Sequence, residues 1–292
     1  MLEKHSCCKV NLLLNILGKR PDGFHELETI MHPVPLHDDL TFERVGAGIY
    51  LTCEDATLPV DGRNLVVKAA AAFFAQTGIS EGVRIHLRKH VPVAAGLGGG
   101  SGNAATTLLA LNELFGQPLP HGDLSRLAAG LGSDIPFFLQ DQPALATGRG
   151  EIIQPLAPFP ALRGAHLALV HPGFGISTPW AYTQLAHYPA ASRGEPGRAD
   201  RMLDTLRQPD LRAAARELYN SLEAPALPKY PLLQIFQEFF REQGAAGALM
   251  SGSGSSTFAL FPNAAAAGQA LEKFRAHFGS AIWAAALPLG LD

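Results

Sequence analysis

The sequence contains few cysteines and no long apolar run. Three cysteines (Cys7, Cys8 and Cys53) among 292 residues argue against a disulfide scaffold and favour a reducing compartment. No apolar stretch approaches the roughly 18 residues that a membrane-spanning helix needs. The apolar start is interrupted by Lys9 and Asn11, and no small-residue cleavage site follows it, so we expect no signal peptide. These absences predict a soluble, cytoplasmic protein.

The chain also lacks an excess of positive charge. Its 23 Lys and Arg residues face 26 Asp and Glu residues, for a net charge of −3. Binding to nucleic acid or to an anionic membrane requires clustered basic residues, so neither is an expected partner. With 47% hydrophobic and 17% charged residues, the chain has enough apolar material for a core. Its length suits one large domain or two of ordinary size.

The pattern of apolar residues predicts an α+β protein, because strands arrive in pairs with helices between them. Residues 8–16 alternate as a strand, and Pro21-Asp22-Gly23 predicts a turn. Other predicted strands cover 28–35, 39–44, 49–53 and 83–89. Predicted helices include one opened by Asn64, one over 103–115, one beginning near Ser133 and one over 211–222, while 140–160 is rich in turn residues.

A glycine-rich loop before the helix at 103–115 is the strongest functional signal. Its glycines can adopt positive φ and let the backbone approach a ligand, and a helix start with free N–H groups attracts anions. The phosphates of ATP are the natural occupant, and an ordinary glycine-rich surface turn is the alternative. The loop is neither a Walker A motif, since no Lys-Ser/Thr ends it, nor a Rossmann fingerprint, since Ser101 stands where glycine is needed. The residues predicted to bind ATP here are Pro92, Val93, Ala94, Ala95, Gly96, Leu97, Gly98, Gly99, Gly100, Ser101 and Gly102.

Three polar residues stand out beside this loop. Lys9 and Asn11 share one face of the first strand, so both side chains can point at one ligand. The alternative for Lys9 is a lysine that extends to solvent from a strand edge. Asp134 lies just ahead of Pro136, where an aspartate commonly caps a helix.

Motifs at the start, middle and end of the chain resemble those of the GHMP kinases. They are Cys8-Lys-Val-Asn-Leu12, the glycine-rich loop, and Ala248-Leu-Met-Ser-Gly-Ser-Gly-Ser-Ser256, in the order of that family. The resemblance implies a two-domain fold in which each domain is a mixed or antiparallel sheet packed with helices, with the active site in the cleft between them. It places an ATP-binding domain at 1–150 and a domain that contributes to substrate binding at 151–292.

Four shorter motifs indicate one branch of that family. Lys9-Val-Asn11, Asp22-Gly-Phe-His25, Gly132-Ser-Asp134-Ile-Pro136 and His171-Pro-Gly173 resemble kinases that phosphorylate the 2-hydroxyl of a cytidine diphosphate methylerythritol, in non-mevalonate isoprenoid synthesis. In that branch Asp134 would be the catalytic base and Lys9 would stabilise developing negative charge. The resemblance makes Asn11 a ligand of the methylerythritol hydroxyls.

The same resemblance implies further contacts with substrate and nucleotide. Phe24 would stack on cytosine, His25 would hydrogen-bond it, Tyr182 would cover its other side and Thr178 would reach the methylerythritol. Asn64 and Lys89 correspond to positions at the adenine end of the ATP site. Four of these residues have a structural alternative: Phe24 as a core residue, Tyr182 as an ordinary helix residue, Asn64 as an N-cap and Lys89 as a charge at a strand end.

The chain departs from the family pattern at two places. Cys7-Cys8 replace the usual Pro-Ala, and two thiols beside a catalytic cation would be more acidic and more easily oxidised, unless Cys8 is simply a small buried residue. Gly102 replaces a common serine, which leaves Ser101 and Thr106 as alternatives for the hydroxyl that reaches phosphate or Mg²⁺.

No run of His, Cys or carboxylates has the spacing of a structural zinc site, so Mg²⁺ is expected to arrive with ATP. A mevalonate or homoserine kinase is the alternative activity within the family. A catalytically silent nucleotide-binding regulator is the alternative outside enzymes, and the presence of both Lys9 and Asp134 argues against it.

Overall fold

The computed structural model describes residues 1–290 and divides them into two compact units. Unit 1 comprises Met1–Cys8, Leu36–Val93 and Gly98–Asp141, and unit 2 comprises Lys9–Pro35, Ala94–Leu97 and the chain from Gln142 onward. Both units are discontinuous because two long strands, β1 (Leu2–Lys19) and β2 (His25–Val45), contribute residues to each. The boundary at residue 150 stays a prediction.

Unit 1 is built on β4 (Gly82–Arg88), which pairs antiparallel with the second half of β2 and parallel with β3 (Ile49–Cys53). Its helices are α1 (Leu65–Thr77), α2 (Gly99–Leu114), α3 (His121–Leu131) and a 3₁₀ helix at Pro136–Leu139. Apolar residues of the sheet and helices form one buried cluster that includes Phe42, Phe73, Ile85, Leu108 and Leu111. The prediction that Asn64 opens a helix is confirmed, since its side chain accepts a hydrogen bond from the N–H of Val66.

Helix α2 begins earlier than predicted. The sequence predicts a helix over 103–115, whereas the observed helix begins at Gly99, so the second half of the glycine-rich loop is its first turn. Two of these glycines are closely packed against other parts of the chain. A Cβ on Gly102 would lie 2.7 Å from the carbonyl oxygen of Cys7, and one on Gly99 would lie 3.1 Å from Val91 Cγ1. The two departures from the family pattern, at 7 and 102, therefore lie against each other.

Unit 2 contains a four-stranded antiparallel sheet in the order β11-β7-β10-β9. These strands are β7 (His166–His171), β9 (Gly247–Met250), β10 (Thr257–Phe261) and β11 (Trp283–Pro288). Helices α9 (Pro231–Glu242) and α10 (Ala264–Phe278) pack on it through an aromatic cluster that includes Phe236, Phe240 and Phe274.

The rest of unit 2 surrounds the second half of β1 and the first half of β2. Strand β5 (Ala144–Thr147) pairs antiparallel with β2 and with β6 (Ile152–Pro155), and β8 (Tyr219–Asn220) pairs parallel with β1. The remaining helices are α4 (Thr178–Leu185), α5 (Pro189–Ser192), α6 (Arg198–Leu206), α7 (Leu211–Arg216) and α8 (Glu223–Lys229), with a 3₁₀ turn at Pro160–Leu162. The predicted α+β class is confirmed.

The structure differs from the predicted elements in three regions of the chain. The strands predicted at 28–35 and 39–44 are one strand, β2. The predicted helix over 211–222 ends at Arg216 and gives way to strand β8, and the turn-rich stretch 140–160 contains the β5–β6 hairpin. Within residues 1–290, no helix combines the length and apolar character that crossing a bilayer demands.

Candidate functional site

Strand β1 places Lys9 and Asn11 side by side in unit 2. Both are 2% exposed, and the Lys9 ammonium donates to Asn11 Oδ1 and, at 3.3 Å, to the carbonyl oxygen of Gly96. Asn11 Nδ2 donates to the Thr29 hydroxyl at 2.8 Å, and that hydroxyl donates to the carbonyl oxygen of Leu13. The prediction that the two side chains share one location is confirmed, and their burial excludes a lysine that extends to solvent. Thr29, which orients Asn11, carried no signal in the sequence.

The first part of the glycine-rich loop is bound to the chain's third motif, 248–256. Ser251 Oγ donates to the carbonyl oxygen of Gly96 at 3.0 Å. The N–H of Ser256 donates to the carbonyl oxygen of Ala95 at 3.1 Å. Gly96 has a φ of 77°, and a Cβ there would lie 2.0 Å from the carbonyl oxygen of Ser251. Only glycine fits this approach, so the third motif holds the loop in shape.

The second part of the loop forms the start of α2. Gly98 is the N-cap, with a left-handed φ of 71°, and no side chain caps the helix. The first backbone N–H groups of a helix have no partner within the helix and point outward at its N-terminal end. The helix dipole adds positive potential at the same end. An uncapped start on a 16-residue helix is therefore suited to an anion such as a phosphate.

A buried polar network lies beside this helix start in unit 1. Asp38 is fully buried, and its carboxylate accepts hydrogen bonds from the Lys89 ammonium, from Asn103 Nδ2 and from the backbone N–H groups of His90 and Val91. Asn103 Nδ2 also donates to the Ser6 hydroxyl at 3.0 Å. Lys89 is thus one half of a buried ion pair, not a free charge at a strand end. Sequence reasoning singled out Lys89 but missed Asp38.

Asp134 lies in the turn that joins α3 to the 3₁₀ helix at Pro136–Leu139. The residue that flanks this short helix is Ile135, and no side chain caps it. The turn is closed instead by the backbone, since the N–H of Ile135 donates to the carbonyl oxygen of Gly132. The N-cap position of this helix is therefore occupied by Ile135 and not, as the capping interpretation has it, by Asp134.

The residues predicted to read the cytosine base belong to unit 2, and two of them are in contact. The rings of His25 and Tyr182 lie 5.1 Å apart at an angle of 39°. Burial lowers the pKa of His25, and the nearby charge of Lys19 lowers it further, so the imidazole is neutral at pH 7. A neutral imidazole offers one donor and one acceptor to a base.

Phe24 and Thr178 lie at the edges of this pair. Phe24 is 49% exposed, which excludes it from the core, and the Arg149 guanidinium lies 4.6 Å from its ring centre. The Thr178 hydroxyl hydrogen-bonds the Ser253 hydroxyl at 2.8 Å, so it reaches the third motif. Arg149 was not singled out from the sequence, because it approaches Phe24 only through tertiary packing. Ser253 belongs to the third motif, but its hydrogen bond with Thr178 was not predicted.

The two adjacent cysteines differ in environment. Cys8 is fully buried, as the structural alternative predicts. Cys7 as a whole residue is exposed. Its thiol is nevertheless partly buried, and this burial, together with the negative charge of Asp141, raises the pKa of the thiol. The expectation of an acidified thiol at Cys7 is therefore wrong, because both effects, burial first and then the negative charge, raise its pKa.

Comparison with known proteins supports the pattern of motifs. Residues 64–148 match the GHMP kinases N terminal domain, and residues 202–280 match the GHMP kinases C terminal domain. The chain is 42% identical over 275 residues to the 4-diphosphocytidyl-2-C-methyl-D-erythritol kinase of Synechococcus sp. (strain JA-3-3Ab), covering 92% of this chain and 88% of that protein. It is 42% identical over 278 residues to the kinase of that name from Chlorobium phaeobacteroides (strain BS1), with 94% of each chain covered.

A crystal structure of 4-(cytidine 5'-diphospho)-2C-methyl-D-erythritol kinase is similar over the whole chain, with a TM-score of 0.78 and 35% identity. The alignment covers 99% of this chain and 100% of that one. The chain therefore belongs to the GHMP kinases and, within them, to the family of 4-diphosphocytidyl-2-C-methyl-D-erythritol kinases.

Proposed function

We propose that this kinase transfers the γ-phosphoryl group of ATP to the 2-hydroxyl of 4-diphosphocytidyl-2-C-methyl-D-erythritol, in the non-mevalonate route to isoprenoids. The observation that carries the proposal is 42% identity to kinases of that name over more than nine-tenths of the chain. The geometry agrees chemically, since phosphoryl transfer depends on positioning and on charge stabilisation, which a fixed loop and buried polar groups can supply.

The phosphates of ATP would bind at the uncapped start of α2. The N–H groups of Gly99, Gly100 and Ser101 belong to the first turn of this helix. Because these three residues carry no bulky side chain, phosphate oxygens can approach their N–H groups closely. Gly96 and its contacts with Ser251 would fix the path of the loop that leads there. Pro92, Val93 and the residues up to Gly102 remain predicted contacts with ATP, as do Asn64 and Lys89 at the adenine end.

Asp134 would act as the general base. Its carboxylate would accept the proton of the 2-hydroxyl while that oxygen bonds to the γ-phosphorus and the bond from this phosphorus to the β–γ bridging oxygen breaks, releasing ADP. The buried Lys9 ammonium would stabilise the negative charge that develops, and Asn11 beside it would bind the methylerythritol hydroxyls.

Mg²⁺ would enter with the nucleotide. Among residues 1–290, the one group of three His, Cys or carboxylate side chains close enough to hold an ion is His5, His37 and Asp39, and it contains no residue of the loop and neither Lys9 nor Asp134. Triphosphate oxygens would therefore supply most ligands, with the Ser101 or Thr106 hydroxyl as the protein's contribution. Bound Mg²⁺ neutralises charge on the β- and γ-phosphates.

The cytidine end of the substrate would be recognised in unit 2. His25 would hydrogen-bond the base in its neutral form, Phe24 and Tyr182 would stack on it, and Thr178 would reach the methylerythritol. Arg149, stacked on Phe24, would hold that ring in place from its other face.

A substrate panel tests the proposal directly. ADP release from Mg-ATP is measured with the cytidine substrate, with mevalonate and with homoserine, using the Asp134→Asn variant to correct for contaminating ATPases. We expect turnover with the cytidine substrate only. Preferential turnover of mevalonate or homoserine would assign another small-alcohol kinase activity, and no turnover of any of the three would favour a nucleotide-binding regulator.

A further inference from the structure

Three imidazoles surround the carboxylate of Asp39, which lies within strand β2 opposite the end of β4, in unit 1. His5 comes from β1, His37 and Asp39 come from β2, and His90 follows the end of β4. His37 and Asp39 share one face of their strand because they are two residues apart. Asp39 pairs with Arg88 of the antiparallel β4, so the same register continued past the strand end brings residue 90 opposite residue 37.

The distances within this cluster are short. His5 Nδ1 lies 2.8 Å and His37 Nε2 lies 3.5 Å from Asp39 Oδ1, and His90 Nε2 lies 3.0 Å from Asp39 Oδ2. One ligand atom from each of His5, His37 and Asp39 can be chosen so that all three lie within 4.8 Å of one another. Around a tetrahedral zinc ion with bonds of about 2.0–2.1 Å, neighbouring ligand atoms are about 3.3 Å apart. Small side-chain adjustments would therefore complete three bonds.

The side chains can make these adjustments because they are partly open to solvent. The His5 side chain is 68% exposed and that of His37 is 42% exposed. The rings of the two histidines already lie 4.4 Å apart. An ion can thus enter from solvent, while the backbones of β1 and β2 fix the Cα positions of its three ligands.

The donor atoms decide which ion fits. Two imidazole nitrogens with one carboxylate oxygen suit Zn²⁺, Cu²⁺ or Ni²⁺, whereas Mg²⁺ prefers an all-oxygen shell. The Mg²⁺ that accompanies ATP would therefore compete poorly here. We propose that His5, His37 and Asp39 bind a divalent transition-metal ion, with Zn²⁺ as the best match. His90 is the outer partner that orients the carboxylate through Asp39 Oδ2.

The ion would join segments that are distant in the sequence. Residues 5, 37 and 39 come from two strands. His90 belongs to a third segment, in which the backbone N–H groups of His90 and Val91 donate to Asp38. This distance in sequence is why no metal-binding spacing is visible in the chain. Binding would stabilise the folded state, since the ligands converge only when unit 1 is folded.

Titration of the chelator-treated full-length protein with Zn²⁺ tests the site. Calorimetry, with Mg²⁺ in large excess, is expected to show one ion per chain. The His37→Gln variant should bind at least ten-fold more weakly, because one of three ligands is lost. His121→Gln, which removes an exposed histidine at the start of α3, is the matched control and should bind as the unaltered protein does.

Co²⁺ provides a second readout that reports ligand geometry. Its visible absorption should appear in the unaltered protein and in His121→Gln, and should be lost in both His37→Gln and Asp39→Asn. Asp39→Asn is included in case His37→Gln fails to fold, and far-UV circular dichroism identifies the folded variants. Equal affinity in all folded variants, or no saturable binding by the unaltered protein, would overturn the proposal and leave a hydrogen-bonded cluster centred on Asp39.

Discussion

Gly98 is the residue at which the proposed ATP site can be tested most sharply. It caps α2 with a φ of 71°, a conformation that costs an L-residue about 1–2 kcal/mol and a β-branched residue more. In Gly98→Val the chain either accepts this strain or rotates φ to a negative value. Rotation would redirect the first N–H groups of the helix, and the side chain would obstruct close approach by a phosphate.

The expected loss of ATP affinity follows from these N–H groups. A hydrogen bond to a charged partner contributes about 1.5–3 kcal/mol, so misalignment of a single N–H would weaken binding roughly 10- to 150-fold. Isothermal titration calorimetry with ATP measures the dissociation constant, and urea unfolding measures the free energy of unfolding of the same variant.

Gly78→Val separates binding from folding. Gly78 ends α1 with a φ of 69°, and a Cβ there would have no heavy atom within 4 Å. The substitution therefore imposes the same backbone strain at a position outside the loop. We expect both variants to lose similar stability and only Gly98→Val to lose ATP affinity. Equal ATP affinity in the two variants would refute the assignment of the α2 start as the phosphate site.

Three further outcomes are expected. Asp134→Asn should lower kcat by roughly 10²-fold or more with nearly unchanged ATP binding, because the base acts in the transition state; more than a tenth of normal kcat would contradict its role. His25→Ala should raise KM for the cytidine substrate, leave KM for ATP unchanged and narrow the preference for cytidine over uridine analogues; unchanged discrimination would exclude base reading. Burial lowers the pKa of His32 to about 4 from 6.5, so the unfolded state binds more protons between these values and stability falls as pH falls through this window. The drop in unfolding free energy from pH 7 to pH 5 should be about 2 kcal/mol smaller in His32→Gln than in the unaltered protein, and an equal drop in both would contradict this assignment.

The sequence predicts local elements well where the signal is local. The N-cap at Asn64 is predicted at its observed position because the capping residue and the apolar periodicity of the helix lie within a few residues of each other. Two prolines made β2 resemble two strands. Pro33 and Pro35 lie between its pairing with β5, which ends at Met31, and its pairing with β4, which begins at Asp39. Neither pairing therefore requires an N–H from a proline.

Non-local pairing accounts for the other errors. Residues 219 and 220 leave a helical pattern because they pair with β1, and the side chain of Asn220 donates to the carbonyl oxygens of Met250 and Gly252. In the candidate site, Lys9, Asn11 and the glycines were visible as unusual residues in a strand or a loop. Thr29 was not visible, because an ordinary threonine gains its role only from the residues that approach it. Ser251 was visible as part of the third motif, but its hydrogen bond to the carbonyl oxygen of Gly96 was not predicted.

The buried pair of Asp38 and Lys89 restricts how these two positions can vary together. Removing one partner of a buried pair typically costs about 3–5 kcal/mol, whereas an apolar replacement of both is often nearly neutral. The two losses are unequal here. Without Lys89 the carboxylate keeps three N–H donors, from His90, Val91 and Asn103, but without Asp38 the ammonium keeps only the Asn103 amide oxygen among the contacts described. When the two positions change one after the other, substitution of Lys89 is therefore better tolerated as the first change. A neutral residue at position 38 is tolerated mainly in a chain in which Lys89 has already been replaced.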